Sequence, residues 1–142
     1  MRFFLDRNVS KQMARLIEVF DRDHEVRHLD TAGFAHDTPD IEWMAMLAEE
    51  QPRPVIVSGD GRILRNAAEA QVLARSGLTF FHLAEGWINL PWDEQAWKII
   101  KVWPSIVKDA QPRKPSVFRV TINGKVELHG LTEELGKSGR GR

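Results

Sequence analysis

Apolar residues follow two different spacings along the chain up to about residue 86. Three short segments rich in apolar residues, FFL, VIV and LTFFHL, and a further short strand candidate, HEVRHL, alternate with longer segments in which apolar residues recur every three or four positions. The short segments are typical of strands in a buried sheet, and the longer spacing is typical of amphipathic helices. The resulting order, βαβαβαβ, predicts a parallel sheet with helices on both of its faces.

Capping residues predict where the helices begin and end. Asn8 and Ser10 are both available to cap the first helix. In the second helix Thr38 is placed as the N-cap and Pro39 at the first helical position, where its fixed φ and its missing N–H are tolerated. The segment RILRNAAEAQVLARSG is expected to form one helix that ends at Gly77.

The pattern changes after residue 86. A tryptophan-rich helix, DEQAWKIIKVW, is expected to be interrupted at Pro104, and a linker with Pro112 and Pro115 follows it. Asn123 and Gly124 then separate two runs of alternating apolar and polar residues, which is the pattern of a β-hairpin.

These elements predict an α/β protein with three layers, α/β/α, a central, mainly parallel sheet and a C-terminal β-hairpin. The length of 142 residues fits one domain. We expect that domain to span residues 1–135, with a core over about 1–90 and a helix and hairpin extension over about 91–130. The basic tail, residues 136–142, is expected to be disordered.

Composition excludes several classes of protein. The chain contains no cysteine, which rules out disulfides, thiolate zinc sites and a cysteine nucleophile. No segment approaches the roughly 20 apolar residues of a membrane span. The opening apolar run is also too short for a signal peptide. We therefore expect a soluble, cytoplasmic protein that does not associate with membranes.

The formal charge sums to zero, but it is unevenly distributed along the chain. Residues 1–60 carry 7 basic and 12 acidic side chains, whereas residues 61–142 carry 13 basic and 8 acidic ones. An acidic pocket beside a basic surface is therefore expected.

Three carboxylates are expected to meet at one edge of the sheet. Asp6 ends the first strand, Asp60 follows the third, and Asp40 lies in the first turn of the second helix. In right-handed βαβ units the carboxyl ends of the strands and the amino ends of the following helices share this edge. Three carboxylates in one cleft repel one another unless a cation neutralises them, and an all-oxygen cluster suits Mg²⁺ or Mn²⁺. Such an ion activates water and neutralises phosphoryl oxygens, which indicates phosphodiester hydrolysis.

Each of these acids also has a structural interpretation. Asp40 can stabilise the positive end of its helix dipole, Asp60 can belong to a turn, and Asp6 can cap the first helix. Four neighbouring residues are weaker candidates for the site, as ligands or as partners that orient the ligands: Asn8, Glu42, Asp37 and Ser58. Arg62 and Arg65 are placed either to bind phosphates bidentately or to form a solvated helix face.

The histidines and tryptophans carry weaker signals. His24 and His28 are four residues apart in a predicted strand, which is not the spacing of a metal site, and we interpret them as structural. Four tryptophans could stack on nucleic-acid bases, but their spacing is more typical of core residues: Trp87, Trp92, Trp97 and Trp103.

With Asp6, Asp40 and Asp60 on one sheet edge, the chain resembles the PIN-domain superfamily, and more narrowly the PIN-like toxins of the VapC-type toxin–antitoxin group. The resemblance rests on three short motifs over about residues 1–90, FFLDRNVS, DTPDIEWMAMLAEE and VIVSGDGRIL. It implies a three-layer fold in which the three aspartates are the catalytic, metal-binding residues and bind Mg²⁺ or Mn²⁺. One departure is that GRILRN follows Asp60, where typical members carry a further acid.

The resemblance implies a metal-dependent endoribonuclease that hydrolyses RNA phosphodiesters, with Arg62 and Arg65 on the RNA phosphates. As a bacterial toxin it would be paired with an antitoxin protein, and a homodimer is compatible with the sequence. The departure after Asp60 favours an alternative, a PIN-like module that binds RNA or protein without cleaving it. A third interpretation is a haloacid-dehalogenase-like phosphatase with Asp6 as nucleophile and Ser58 as phosphate ligand, although an amide, Asn8, stands where its general acid belongs.

Overall fold

The computed structural model describes residues 1–35, 37–110 and 116–129. Within these residues six strands form one sheet: β1 (Arg2–Leu5), β2 (Glu25–His28), β3 (Val55–Ser58), β4 (Thr79–Leu83), β5 (Val117–Val120) and β6 (Val126–Leu128). The α-helices of the described residues are α1 (Lys11–Phe20), α2 (Asp40–Ala48), α3 (Arg62–Arg65), α4 (Ala67–Ser76) and α5 (Trp92–Asp109).

The strands are arranged in the order β2-β1-β3-β4-β5-β6. Neighbouring strands from β2 to β5 pair in parallel, and β6 pairs antiparallel with β5. This arrangement confirms the predicted fold class, including the C-terminal hairpin. The chain leaves β1 outward to β2 and then crosses to β3 on the other side. In open α/β sheets the ligand crevice lies at such a reversal, outside the carboxyl ends of the strands.

Apolar side chains on both faces of the sheet hold it between two helical layers. Phe3 and Leu5 of β1 belong to the core that includes residues of α1 and α5, whereas Phe4 points to the core shared with α2 and α4. Ile56 of β3 and Phe80 of β4 also lie in this second core. Because side chains alternate along a strand, continuous apolar runs supply both cores at once.

The first two helices begin differently from one another. Ser10 caps α1, since its hydroxyl accepts a hydrogen bond from the Met13 N–H at 3.1 Å. The predicted start of α2 is wrong, because the helix begins at Asp40 and Pro39 occupies the N-cap position. No side chain caps this helix, so Thr38 does not have the capping role predicted for it.

The segment predicted as one helix after β3 is divided into two, α3 and α4. Asn66 adopts an extended conformation between them, and its side chain caps α4 by accepting a hydrogen bond from the Glu69 N–H at 3.1 Å. Gly77 ends α4 in the left-handed region, with a φ of 74°. The helical spacing of apolar residues continues across Asn66, which is why the pattern alone did not reveal the break.

The predicted interruption of α5 at Pro104 is wrong, because the helix runs through this residue. Packing against the sheet outweighs the hydrogen bond that a proline cannot donate. The helix is held there by four buried residues: Ile99, Val102, Trp103 and Ile106.

The core interpretation of the four tryptophans is confirmed for two of them. Trp87 and Trp103 are buried. Trp92 and Trp97 are 38% and 53% exposed, so the core interpretation is wrong for these two.

Some predictions fall on residues that the structure does not describe. The linker prolines, Pro112 and Pro115, and the predicted basic tail, residues 136–142, lie outside the described ranges. In the described part of the chain, no helix combines the length and the apolar character needed to cross a membrane.

Candidate active site

Asp6 lies at the carboxyl end of β1, where the ligand crevice of this strand order is expected. It is only 4% exposed, and its backbone N–H extends the sheet by donating to the carbonyl oxygen of Val57 at 2.9 Å. Its carboxylate accepts hydrogen bonds from the Arg7 backbone N–H at 2.7 Å and from the Ser58 hydroxyl at 2.9 Å. Among the described residues, no salt bridge involves Asp6. The carboxylate is therefore buried and held in place by hydrogen bonds, and no residue in the described ranges serves as its counter-ion.

Ser58 and Asn8 connect the loops that follow β1 and β3. The Ser58 hydroxyl donates to Asp6 and accepts from the Asp60 backbone N–H at 3.0 Å and from the Asn8 amide at 3.4 Å. The Asn8 side-chain oxygen accepts from the Gly59 N–H at 2.9 Å. Two of the weaker sequence candidates thus fix the backbone of Asp60 relative to Asp6.

Asp60 forms a bidentate ion pair with Arg62. The Nη2 atom of Arg62 lies 2.7 Å from Oδ2 of Asp60, and its Nε lies 3.0 Å from both carboxylate oxygens. These hydrogen bonds hold the pKa of Asp60 below its usual range, so the carboxylate stays ionised. The side chain of Arg62 is 80% exposed and serves here as the counter-ion of Asp60. Its predicted binding to phosphate stays a prediction.

Asp40 and Glu69 extend the acidic cluster around Asp6. The Asp40 carboxylate accepts a hydrogen bond from Nε1 of Trp43 at 2.8 Å, and Glu69 lies in the first turn of α4. Burial raises the pKa of Asp6, and the charges of Asp40 and Asp60 raise it further. Burial also raises the pKa of Glu69, with added repulsion from these same aspartates. The four carboxylates therefore share one electrostatic environment.

Arg7 positions the loop that leads to Asp40. Its Nε donates to Oδ1 of Asp30 at 3.1 Å, its Nη1 to the carbonyl oxygen of Thr38 at 2.9 Å, and its Nη2 to the carbonyl oxygen of Ala35. Because Arg7 is the first residue after Asp6 in the chain, one side chain links the end of β1 to the start of α2.

The remaining residues that the sequence nominates for the site are less closely connected to the hydrogen-bond network around Asp6. Asp37 and Glu42 are exposed and form no hydrogen bond with this network among the described residues. Arg65, the last residue of α3, is exposed, but it is near enough to Asp60 to help lower the pKa of that carboxyl group. The structure thus brings Asp6, Asp40 and Asp60 into one electrostatic cluster, with Arg65 beside it.

The donor groups can be compared with those that a divalent cation needs. Among the described residues, no three carboxylate or imidazole groups are arranged to hold a metal ion. Carboxylate oxygens are nevertheless the donors that Mg²⁺ prefers, and this ion is usually held by one or two carboxylates while water completes its shell. Asp6 fits that requirement, because one described hydrogen bond on each oxygen leaves a lone pair on each. The residues present therefore fit one hydrated divalent ion.

Sequence reasoning missed Glu69 and Arg7. The spacing Asn66-x-x-Glu69 is a known signal for the start of a helix, and it would have placed Glu69 at the amino end of a helix that follows β3. That end lies at the same sheet edge as Asp60. Arg7 carries no comparable signal, because two of its acceptors are loop carbonyl groups distant along the chain.

Comparison with known proteins gives one match. Residues 1–85 match a protein family described as a PIN-like domain. The match covers more than half of the chain and contains β1 to β4, with the four clustered carboxylates. Neither the curated proteins nor the solved structures include a significant match to this chain.

Proposed function

The chain belongs to the PIN-like domain family, and we propose that it is a metal-dependent nuclease that hydrolyses RNA phosphodiesters. The observation that carries this proposal is the state of Asp6, a buried, rigid carboxylate without a counter-ion in the described residues, at the ligand crevice of a nuclease-type fold. A buried charge of this kind is unfavourable alone and is stabilised when a cation binds.

In this proposal Asp6 would hold one hydrated Mg²⁺ or Mn²⁺ ion. Asp40, Asp60 and Glu69 would add negative charge around it, with Glu69 as the further acid that is missing directly after Asp60. The bound ion would supply an activated water and neutralise charge on the phosphoryl oxygens. The Ser58 hydroxyl keeps the Asp6 carboxylate in one orientation, so that little reorganisation is needed when the ion binds.

Arg62 has two roles in this proposal. Without an ion it neutralises Asp60 through the bidentate pair. A cation bound beside Asp60 would compete with Arg62 for this carboxylate, and the exposed guanidinium would then be available to bind phosphate oxygens in the same bidentate manner. The pair therefore explains why Asp60 remains ionised before an ion binds.

The test is a cleavage assay on structured and single-stranded RNAs in Mg²⁺, Mn²⁺ or EDTA. We expect cleavage by the wild-type protein in either metal, none in EDTA, and a loss of at least about 100-fold in Asp6→Asn. Asp23→Asn, which removes an exposed carboxylate from the loop before β2, is the matched control and should cleave like the wild type. Full activity of Asp6→Asn would remove this residue from the mechanism.

A binding module without catalytic activity is the second candidate. It is favoured by the Asp60–Arg62 pair and by the lack of three assembled ligands among the described residues. The same assay separates the two candidates, because a folded wild-type protein that binds RNA but leaves it intact in both metals would establish the module. The family match favours either of them over the phosphatase interpretation.

The finer proposal, that this nuclease is the toxin of a bacterial toxin–antitoxin pair, rests on the sequence resemblance. It entails a cytoplasmic location, an antitoxin protein as partner and cellular RNA as substrate. Expression of the wild-type protein in bacteria should arrest growth, whereas Asp6→Asn expressed to the same level should not. Equal growth of both strains would contradict the toxin role and leave the nuclease assay unaffected.

A further inference from the structure

One face of the sheet changes from apolar to polar toward the carboxyl ends of β4 and β5. Phe80 and Val117 on this face belong to the core shared with α2 and α4. His82 and Arg119, each two residues further along its strand, face the same side. In the register of the sheet, His82 lies opposite Arg119 of β5, and Arg119 lies opposite Glu127 of β6. A polar row therefore crosses three neighbouring strands.

This row lines a cavity of about 480 Å³, whose other walls come from α3, the loop before it and His129. The cavity adjoins the acidic cluster. A Cβ atom placed on Gly61 would lie 3.1 Å from Cε1 of His82, so the loop after β3 packs directly on this imidazole. Because Gly61 follows Asp60 in the chain, the cavity begins beside that carboxylate.

The charges around the cavity favour an anion. Arg65 and Arg119 both line it and are exposed, and neither forms a salt bridge within the described residues. Glu127 is the carboxylate among the described lining residues. Burial is the main cause that lowers the pKa of His82, and electrostatic repulsion by the neighbouring His129 and Arg119 lowers it further. A planar guanidinium group can donate to two oxygens of one phosphate, so two such groups at an open cavity suit a phosphate ligand.

We propose that this cavity binds a phosphate group of the RNA strand, held by Arg65 and Arg119, with the His82 imidazole as a further hydrogen-bond donor. The identity of the ligand as RNA rests on the proposed nuclease function, whereas recognition of phosphate does not. A strand anchored here passes Asp60, so that a neighbouring phosphodiester reaches the carboxylate cluster. The cavity thus sets the position of the strand relative to the bond that is cleaved.

The first test measures binding of a short single-stranded RNA in EDTA, where cleavage does not interfere. For single strands, each phosphate contact contributes about −0.7 to the slope of log affinity against log salt concentration. Arg65→Gln and Arg119→Gln should therefore each reduce the magnitude of this slope by about 0.7. Each variant should also weaken binding about fivefold at 0.1 M salt. Arg15→Gln, which removes an equal exposed charge from α1, is the control. Unchanged slopes, or losses no larger than in the control, would overturn the proposal.

The second test titrates inorganic phosphate while the imidazole signals are followed by NMR. We expect the His82 signal to shift, the shift to be lost in Arg119→Gln, and RNA to displace the phosphate. Phosphate binding that RNA does not displace would assign the cavity to a free anion and overturn the RNA assignment.

The nuclease proposal and the cavity proposal can be contradicted by different results. RNA binding with the expected slopes but without cleavage in Mg²⁺ or Mn²⁺ would support the cavity and contradict the nuclease. Cleavage by the wild type, with slopes and KM unchanged in both arginine variants, would contradict the cavity alone.

Discussion

Asp6 combines two properties that oppose each other in the protein without metal. Its position at the end of a central strand buries the carboxylate, while its described hydrogen-bond donors carry no formal charge. Burial raises its pKa, so the folded state binds more protons than the unfolded state between the unfolded and the folded pKa. The contribution of Asp6 to stability therefore falls as pH rises through this interval, from about pH 4 upward.

We expect Asp6→Asn to be more stable than the wild type in EDTA at pH 8, by on the order of 1 kcal/mol. The amide removes the buried charge and still accepts a hydrogen bond. Urea unfolding at several pH values is the measurement, and the advantage of the variant should shrink toward pH 4. Asp23→Asn should follow the wild type throughout. A variant less stable than the wild type at pH 8 would mean that the Asp6 charge is already compensated.

The sequence predicted the location of Asp6, Asp40 and Asp60 at one sheet edge, because any parallel arrangement of these strands places their carboxyl ends together. It did not predict the partners of the side chains. Arg62 was expected either to bind phosphate or to form a solvated helix face, and its pair with Asp60 was not predicted. A spacing of two residues does not show which acceptor a flexible guanidinium selects. Whether these residues bind metal remains a prediction.

Element boundaries decide which side chains join the site. Asn66 divides the segment after β3, and the new start of α4 places Glu69 near the other carboxylates. The apolar pattern predicted helix on both sides of Asn66 but not the break, since a cap depends on one side-chain hydrogen bond. Pro104 is the converse case, in which a strong local signal for a break is overridden by packing on the sheet.

Removal of the Asn66 cap should lower the stability of the protein and loosen the first turn of α4, which carries Glu69. We expect Asn66→Ala to lower the free energy of unfolding by about 1 kcal/mol, because the Glu69 N–H loses its acceptor. Asn66→Ser keeps an acceptor and should stay close to the wild type. Amide hydrogen exchange at Glu69 should quicken in the alanine variant only. Unchanged exchange there would show that the cap does not hold the first turn of α4.

At the scale of the whole molecule, the strand order determines where the candidate site lies. The apolar pattern predicted parallel strands and three layers, but not the order β2-β1-β3-β4-β5-β6, since pairing partners depend on how the helices pack. That order places β1 between two parallel neighbours, so the site is built on a central strand. An ion bound at Asp6 therefore stabilises the folded chain as a unit.

We expect Mg²⁺ or Mn²⁺ to raise the Tm of the wild-type protein, with a stabilisation of about 2.7 kcal/mol at 100 times the Kd. Asp6→Asn should show little of this increase, and NaCl at equal ionic strength serves as the comparison for general ionic effects. Scanning calorimetry is the measurement. An equal increase in the wild type and in Asp6→Asn would place the ion elsewhere on the protein.

The strand order also gives the molecule an electrical direction. The acidic first part of the chain, residues 1–60, contributes β1, β2 and β3, whereas β4, β5 and β6 come from the basic remainder. Among the described residues, negative charge is therefore concentrated on the part of the chain that forms β1 to β3. A polyanion that approached the sheet edge would be repelled less on the side of β4 to β6 than on the side of β1 and β2. That less repulsive side is also where Arg65 and Arg119 line the cavity beside Asp60.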